Sequence, residues 1–264
     1  MTKRARGGEF PEPDDPPESD LVWDEVVDVI CVGTDPGPTA QAISSIQCGR
    51  RVLAVPRPEI FDTDTAAYVT EMTADLEPPE PGRPFPLTRA RPTEAEPARG
   101  RVIDTFVGAH LRDWARHCWA TPFGVLYSDT FGIDTVAMRT HEGLRIEAAV
   151  LGDYPSATER SSRAVADWLA AQAREYDVQP DLDLTLQRLI IEYGRVAGAE
   201  LLTASGPLLV RACNGVALPS GDGDTDSSDA DWAPRPDPDD GDLEVAIVGR
   251  PAGRFARVEL LTSG

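Results

Sequence analysis

Apolar positions along the chain follow two spacings, and together they predict a mixed α/β fold. Apolar runs over residues 26–32 and 51–55 are typical of parallel strands that are buried on both faces. The stretch between them, residues 38–48, has the composition of a helix. We therefore predict a strand–helix–strand unit over residues 24–56, in a mainly parallel sheet that residues 208–218 extend.

Further helices and antiparallel strands follow along the chain. Helical spacing predicts helices over residues 62–75 (with Asp62 or Asp64 as N-cap), 102–119 and 158–175. Alternating apolar positions predict strands over 123–128, hairpins over 136–154 and 243–261, and an antiparallel meander over 184–213. The elements thus predict a parallel sheet, an antiparallel β-meander and an inserted α+β section.

Proline and acidic residues mark where these elements are interrupted. Residues 78–97 are too rich in proline for a helix or a central strand. The predicted segments are a disordered acidic, Pro-rich tail (1–20), a main domain (21–218) with an inserted section at about 77–155, an acidic disordered loop (219–242) and a terminal hairpin (243–264) that joins the main domain.

The net charge of −20 is concentrated outside the predicted elements. Most of it lies in two stretches, residues 9–25 and 219–242, so the folded body is nearly neutral. Without a basic face, nucleic acid and anionic membrane surfaces are disfavoured as partners. No apolar run approaches the length of a membrane span, and the chain starts without an apolar signal segment, which predicts a cytoplasmic protein.

The turn after the first strand carries most of the candidate chemistry. A working dinucleotide turn reads G-x-G-x-x-G, with a carboxylate after the second strand to hold a ribose hydroxyl. Gly33 keeps the first glycine, but Asp35 and Pro38 replace the others, and Pro56 stands where the acid belongs. Asp35 would place negative charge where a pyrophosphate approaches. The replacements therefore preserve the fold and impair the site.

Other reactive side chains have structural interpretations. His110 and His117 lie seven residues apart, two helical turns, and no third ligand has suitable spacing, so no metal site is predicted. No nucleophile elbow accompanies the serines at 161–162. The four cysteines are widely separated, which is typical of buried thiols: Cys31, Cys48, Cys118 and Cys213.

Two stretches carry a resemblance to a known family. Residues 194–199, Gly-Arg-Val-Ala-Gly-Ala, and residues 212–218, Ala-Cys-Asn-Gly-Val-Ala-Leu, are its most specific part, and Trp23 lies in a similar lead into the first strand. The chain resembles the fumarate reductase/succinate dehydrogenase flavoprotein group, which includes the 3-ketosteroid dehydrogenases. The resemblance implies an FAD/NAD(P)-binding, Rossmann-like fold with Gly33 and Gly37 as cofactor contacts. It supplies no catalytic residue, because the group's later motifs have no match here.

The resemblance, together with the replaced motif residues at the turn, leaves three possible functions. The first is a non-catalytic pseudo-flavoprotein (a pseudoenzyme) that carries no FAD alone and acts as a structural or regulatory partner of a flavoprotein dehydrogenase. The second is a divergent FAD-dependent oxidoreductase, or one subunit of a split one, acting on steroid-like or dicarboxylate-like substrates. The third is a small-molecule-binding protein. For the first, we expect a complex with a full-length flavoprotein subunit or a homo-oligomer.

Overall fold

The computed structural model describes residues 21–76, 85–93, 107–119, 121–132, 134–155, 159–220 and 242–263, with only the backbone for 107–110. The predicted tail over 1–20 and nearly all of the loop over 219–242 lie outside these residues. The strands are β1 (Glu25–Val27), β2 (Val29–Val32), β3 (Val52–Val55), β4 (Leu87–Pro92), β5 (Gly124–Tyr127), β6 (Val136–Thr140), β7 (Arg145–Tyr154), β8 (Thr185–Glu192), β9 (Arg195–Thr203), β10 (Gly206–Ala212), β11 (Val216–Pro219), β12 (Leu243–Gly249) and β13 (Phe255–Thr262). The helices are α1 (Pro36–Gln47), α2 (Thr63–Thr73), α3 (Val107–Cys118) and α4 (Ser162–Glu175).

These strands form two sheets, so the mixed α/β class is confirmed. One sheet has four strands in the order β1-β10-β9-β8, and the other has nine in the order β12-β7-β6-β4-β13-β5-β11-β2-β3. In the larger sheet β2 pairs in parallel with β3 and β11, and β13 with β4, while the remaining neighbours are antiparallel. Its parallel part is therefore limited to a few strands, and the prediction of a mainly parallel sheet is wrong.

The predicted strand–helix–strand unit is present as β2, α1 and β3, but the prediction of one strand over residues 26–32 is wrong. The chain breaks at Asp28, whose Oδ2 accepts a hydrogen bond from the Arg51 N–H at 2.8 Å. Before the break, β1 pairs with β10 at the edge of the smaller sheet, where Val26 is 45% exposed. After the break, β2 is fully buried between β11 and β3.

The same break divides the strand predicted over residues 208–218. β10 ends in the smaller sheet, and β11 begins in the larger one after Gly215, which has φ +93°. The Asn214 N–H donates to the Asp28 carbonyl at 2.7 Å, so the two breaks are hydrogen-bonded to each other. Two adjacent strands thus change sheet at the same place.

Alternate residues of the larger sheet contribute to two separate cores. Cys31 of β2 and Ala217 of β11 belong to one core, with buried residues of α1 and α4. Ile30 and Leu218 belong to the other, with buried residues of the four-stranded sheet and flanking side chains of α2. The larger sheet is therefore the middle layer, with helices on one face and the smaller sheet on the other.

Five strands at one end of the larger sheet close into a barrel, because β12 pairs with β13 as well as with β7. The ring continues through β6 and β4 back to β13. A third cluster of buried residues comes from these five strands: Ala90, Met138, Ile146, Ala148, Ala246, Val248 and Leu261. Trp114 of α3 packs against this cluster.

The interpretation of residues 78–97 as too Pro-rich for a central strand is wrong where β4 forms. Pro92 is the last residue of β4, where a missing N–H interrupts no ladder, and the Thr93 N–H after it still donates to the Ala137 carbonyl at 2.9 Å. The prolines thus flank the strand. Of the remaining predicted elements, the hairpins β6–β7 and β12–β13 and the meander β8–β9–β10 are confirmed. Asp62 caps α2, as predicted, by accepting from the Asp64 N–H at 3.0 Å.

Candidate functional site

The predicted nucleotide turn lies at the carboxyl end of β2, where ligands bind in open α/β sheets. Gly33 has φ +99°, a left-handed conformation that favours glycine, and its N–H donates to the Val55 carbonyl of β3 at 2.8 Å. The first glycine of the motif therefore does form the tight turn between β2 and α1. What the turn offers a ligand depends on the first residues of α1.

The first three positions of α1 offer no free N–H group. Pro36 and Pro38, the first and third residues of the helix, carry no N–H at all. Between them, the Gly37 N–H donates to the carbonyl oxygen of Pro122 at 2.9 Å. The next N–H, that of Thr39, is bonded to the Asp35 carbonyl at 3.0 Å. A helix N-terminus binds anions through its unpaired N–H groups, and here those groups are missing or already bonded.

Gly37 is a packing residue in this arrangement. A Cβ atom on Gly37 would lie 2.4 Å from the carbonyl oxygen of Gly124 and 3.0 Å from a Val125 methyl group. Glycine at this position lets the start of α1 contact the backbone of β5 directly. The structure thus places Gly33 and Gly37 at one turn, as the sequence predicts, and gives Gly37 a neighbour in the chain itself.

Side chains close the outer side of the turn. A Cβ on Gly33 would lie 3.3 Å from the Asp35 carboxylate, 3.6 Å from Arg57 and 3.8 Å from Pro219. Beyond Pro219, the Ser220 hydroxyl donates to the Cys118 carbonyl at 2.6 Å, which holds the end of β11 against the end of α3. Arg57 follows Pro56, so a hydrogen-bond donor lies near the place where a ribose-binding carboxylate belongs.

The remaining sequence candidates have structural roles. The His117 ring Nδ1 lies 2.7 Å from the Asp113 carbonyl, and the side chain of His110 lies outside the described atoms. Ser161 caps α4 by accepting from the Ala164 N–H at 3.2 Å. Within the described ranges, no three His, Cys, Asp or Glu side chains are grouped so that they could hold a metal ion, and no helix is long and apolar enough to cross a membrane.

The prediction that all four thiols are buried is only half right. Cys31 and Cys118 are buried, and burial raises the pKa of the Cys31 thiol to about 12. Cys48 and Cys213 are exposed. All four are free thiols.

A polar cluster at one end of the barrel was missed by the sequence analysis. On β13, Glu259 is 1% exposed, and its two oxygens accept from Arg257 Nε at 2.7 Å and from the Thr88 hydroxyl at 2.5 Å. The guanidinium carbons of Arg250 and Arg257 lie 5.0 and 5.2 Å from the ring centroid of Trp114. Burial lowers the pKa of the Arg250 guanidinium.

A signal for this cluster exists in the sequence. Arg257 and Glu259 are two residues apart in a strand whose other positions are mostly apolar, so both point to the same face. Period-two alternation alone assigns such a charged face to solvent. Only the closing of the ring turns it inward.

Comparisons with known proteins give a distant structural likeness. No protein-family model matches the sequence, and a search of the curated proteins finds no match. Three similar solved structures are a 3-ketosteroid-delta4-(5alpha)-dehydrogenase from Rhodococcus jostii RHA1 (17% identity, 77% of this chain and 47% of that one, TM-score 0.32), a flavocytochrome c3 fumarate reductase (14%, 74% and 34%, 0.34) and a geranylgeranyl bacteriochlorophyll reductase-like protein from Thermoplasma acidophilum (16%, 90% and 57%, 0.29).

The first two are a ketosteroid dehydrogenase and a fumarate reductase, the kinds of protein that the sequence resembles. This chain spans between about a third and somewhat over half of the length of the three proteins. TM-scores of 0.29 to 0.34 carry no argument about activity, which has to come from the site.

Proposed function

We propose that this chain is a non-catalytic pseudo-flavoprotein: a protein with a Rossmann-like, FAD-type layered fold that holds no flavin at its nucleotide turn. The observation that carries the proposal is the start of α1. Two prolines remove two N–H groups, and the Pro122 carbonyl takes the third, that of Gly37. A pyrophosphate needs such groups, because they and the helix dipole supply most of its binding.

The chemistry around the turn supports the same conclusion. The Asp35 carboxylate lies 3.3 Å from where a Cβ atom on Gly33 would be, and it would repel a phosphate oxygen at this turn. Pro56 provides no acceptor for a ribose hydroxyl, and the next side chain, Arg57, is a donor. Each change acts against the ligand and leaves the turn intact.

We further propose that the protein acts as a structural or regulatory partner of a full-length flavoprotein, or of a second copy of itself. Exposed apolar side chains occur on and beside the smaller sheet, where Leu21, Val26 and Leu202 are each between 41% and 45% exposed and Val22 is 83% exposed. Apolar side chains that stay exposed in this way support an interface with another protein surface. The cytoplasmic location predicted from the sequence suits this role and stays a prediction.

Titration with FAD tests the first half of the proposal. We expect no flavin absorbance after mild purification and no binding of added FAD by calorimetry. Micromolar or tighter binding would overturn the proposal and favour a divergent FAD-dependent oxidoreductase.

A motif-restored variant separates the closed turn from the substituted residues. Asp35→Gly, Pro38→Gly and Pro56→Glu together rebuild G-x-G-x-x-G and its acid, and we expect this variant to stay free of FAD because Pro122 still occupies the Gly37 N–H. Flavin binding by the variant alone would show that the substitutions, and not the bonded Gly37 N–H, exclude the cofactor.

Native mass spectrometry of the tagged protein from its host tests the partner. A monomer without any co-purifying flavoprotein would contradict that half.

A further inference from the structure

A pocket of about 450 Å³ opens at the polar end of the barrel. β4, β12, β13 and the β6–β7 turn line it, and α3 closes one side with Trp114. Its volume falls within the range of roughly 300–1,000 Å³ that small-molecule sites have. It is separate from the turn at Gly33, since none of the residues around that turn lines it.

The polar groups on one wall of the pocket already have hydrogen-bond partners within the chain. Arg257 donates from Nε to Glu259 and from Nη1 to the His117 carbonyl at 3.0 Å. Glu259 also accepts from Thr88. A buried ion pair bonded in this way needs no further partner, so it shapes the pocket and leaves no charge for a ligand.

Arg250 differs from Arg257 in one respect that points to a ligand. Its Nη1 donates to the Arg145 carbonyl at 2.8 Å, and its guanidinium lies over Trp114. Its Nε is buried and has no hydrogen-bond partner. Among the residues that the structure describes, no carboxylate forms an ion pair with it. A buried N–H of a charged group without an acceptor is costly, and an oxyanion beside it removes that cost.

The rest of the lining restricts the anion. The charged lining residues are Arg89, Arg250, Arg257, Asp113, Glu142 and Glu259. Three positive and three negative groups leave the pocket formally neutral, which suits a singly charged ligand better than a doubly charged phosphate. Leu87, Leu144, Ile146 and Val248 provide apolar wall next to the guanidinium. Such a lining matches a ligand with an apolar body and one charged end.

We propose that the barrel-end pocket binds a small apolar monocarboxylate, whose carboxylate accepts from the Arg250 guanidinium while its hydrocarbon part lies along the aliphatic wall. This site is independent of the proposed function, because it requires neither a flavin nor its absence. Arg250 supplies the charge and an N–H without an acceptor, and the ion pair of Arg257 and Glu259 forms the neighbouring wall.

Calorimetry with octanoate as the probe tests the site on the full-length protein. We expect octanoate to bind with a dissociation constant of about 1 mM or tighter, and octanamide, its neutral analogue, to bind at least about tenfold more weakly. Equal binding of the two probes, or no binding of octanoate, would overturn the proposal. So would tighter binding of inorganic phosphate, which would reassign the site to phosphate.

Two arginine variants form the second arm. Arg250→Gln should weaken octanoate binding at least about tenfold, whereas Arg188→Gln, at an exposed ion pair on β8, should leave it unchanged. Equal effects of the two variants would contradict the assignment. If Arg250→Gln does not fold, as judged by its circular dichroism spectrum, the octanoate and octanamide comparison on the unmodified protein still decides the question.

Discussion

The turn at Gly33 and the pocket at the end of the barrel both place hydrogen-bond donors where a ligand could bind. They differ in whether those donors already have acceptors within the chain. At the turn, the first three positions of α1 offer no free N–H group, because two are prolines and the Gly37 N–H is bonded to the Pro122 carbonyl. At the barrel end, the ion pair of Arg257 and Glu259 is complete, and the Nε of Arg250 beside it has no acceptor.

This difference shows that the course of the backbone and the ability to bind a ligand are determined by different features. Glycine spacing determined the course of the backbone at the turn, and that part of the motif survives in this chain. Hydrogen-bond satisfaction determines whether a ligand has anything to bind, because a buried polar group either has a partner in the protein or gains one from a ligand. By this criterion the turn is closed and the barrel end is open.

The largest expected effect comes from breaking the buried ion pair of Arg257 and Glu259 at the end of the barrel. Glu259→Ala leaves Arg257 buried without its partner, and we expect a loss of about 3–5 kcal/mol in the free energy of unfolding, measured by denaturant titration. The double variant Arg257→Met with Glu259→Leu removes both charges and should recover most of this loss. A single-variant cost below about 1 kcal/mol would mean that water already reaches this pair.

A smaller effect is expected at the turn. Gly37→Ala places a Cβ 2.4 Å from the Gly124 carbonyl oxygen, so α1 has to shift away from β5, and we expect a loss of about 2–3 kcal/mol in spite of the better helix propensity of alanine. Gly49→Ala is the matched control. Gly49 has φ +74° and no atom within 4 Å of its Cβ position, so only backbone strain of about 1 kcal/mol is expected. Equal losses would contradict the close contact between α1 and β5.

The smallest expected effect concerns the exposed counterpart of the buried ion pair. Asp129 pairs with Arg195, and their side chains are 46% and 73% exposed. Burial raises the pKa of Asp129, but the hydrogen bond from the Thr130 N–H and the charge of Arg195 lower it by more. The pKa of Asp129 therefore lies below its ordinary value. Because the folded pKa is depressed, the pair stabilises the fold above the ordinary aspartate pKa, and this contribution is lost as pH falls through the folded pKa.

Asp129→Asn should therefore reduce the acid sensitivity of unfolding by at most about 0.5 kcal/mol, since solvent screens the pair. Denaturant titrations at neutral and acidic pH measure it, with Arg195→Gln as the matched variant. An effect as large as that of Glu259→Ala would remove the distinction between the two pairs.

Local patterns predicted much of the fold. The βαβ unit, the meander, both hairpins and the cap at Asp62 depend on residues close together in the sequence. The strand breaks at Asp28 and Gly215 were not predicted, because one polar residue or one glycine does not end a strand by itself and only the pairing with two different sheets divides the two segments. The barrel likewise depends on β12 meeting both β7 and β13.

The candidate site divides in the same way. The loss of donors at Pro36 and Pro38 is visible in the sequence, because proline has no N–H. The occupation of the Gly37 N–H is not visible, because its acceptor, Pro122, lies far along the chain. The burial of Arg257 and Glu259 is not visible in the sequence either, because it follows from the closing of the barrel.

The paired breaks at Asp28 and Gly215 have a consequence for unfolding. β1 continues directly into β2, and β10 continues into β11 after a short turn. These two chain segments run parallel to each other and pass together from the smaller sheet into the larger one. The layers cannot slide past each other or separate without pulling these two segments out of both sheets. Loss of either layer therefore exposes the apolar interior of the other, which couples them into one cooperative unit in hydrogen exchange and denaturation.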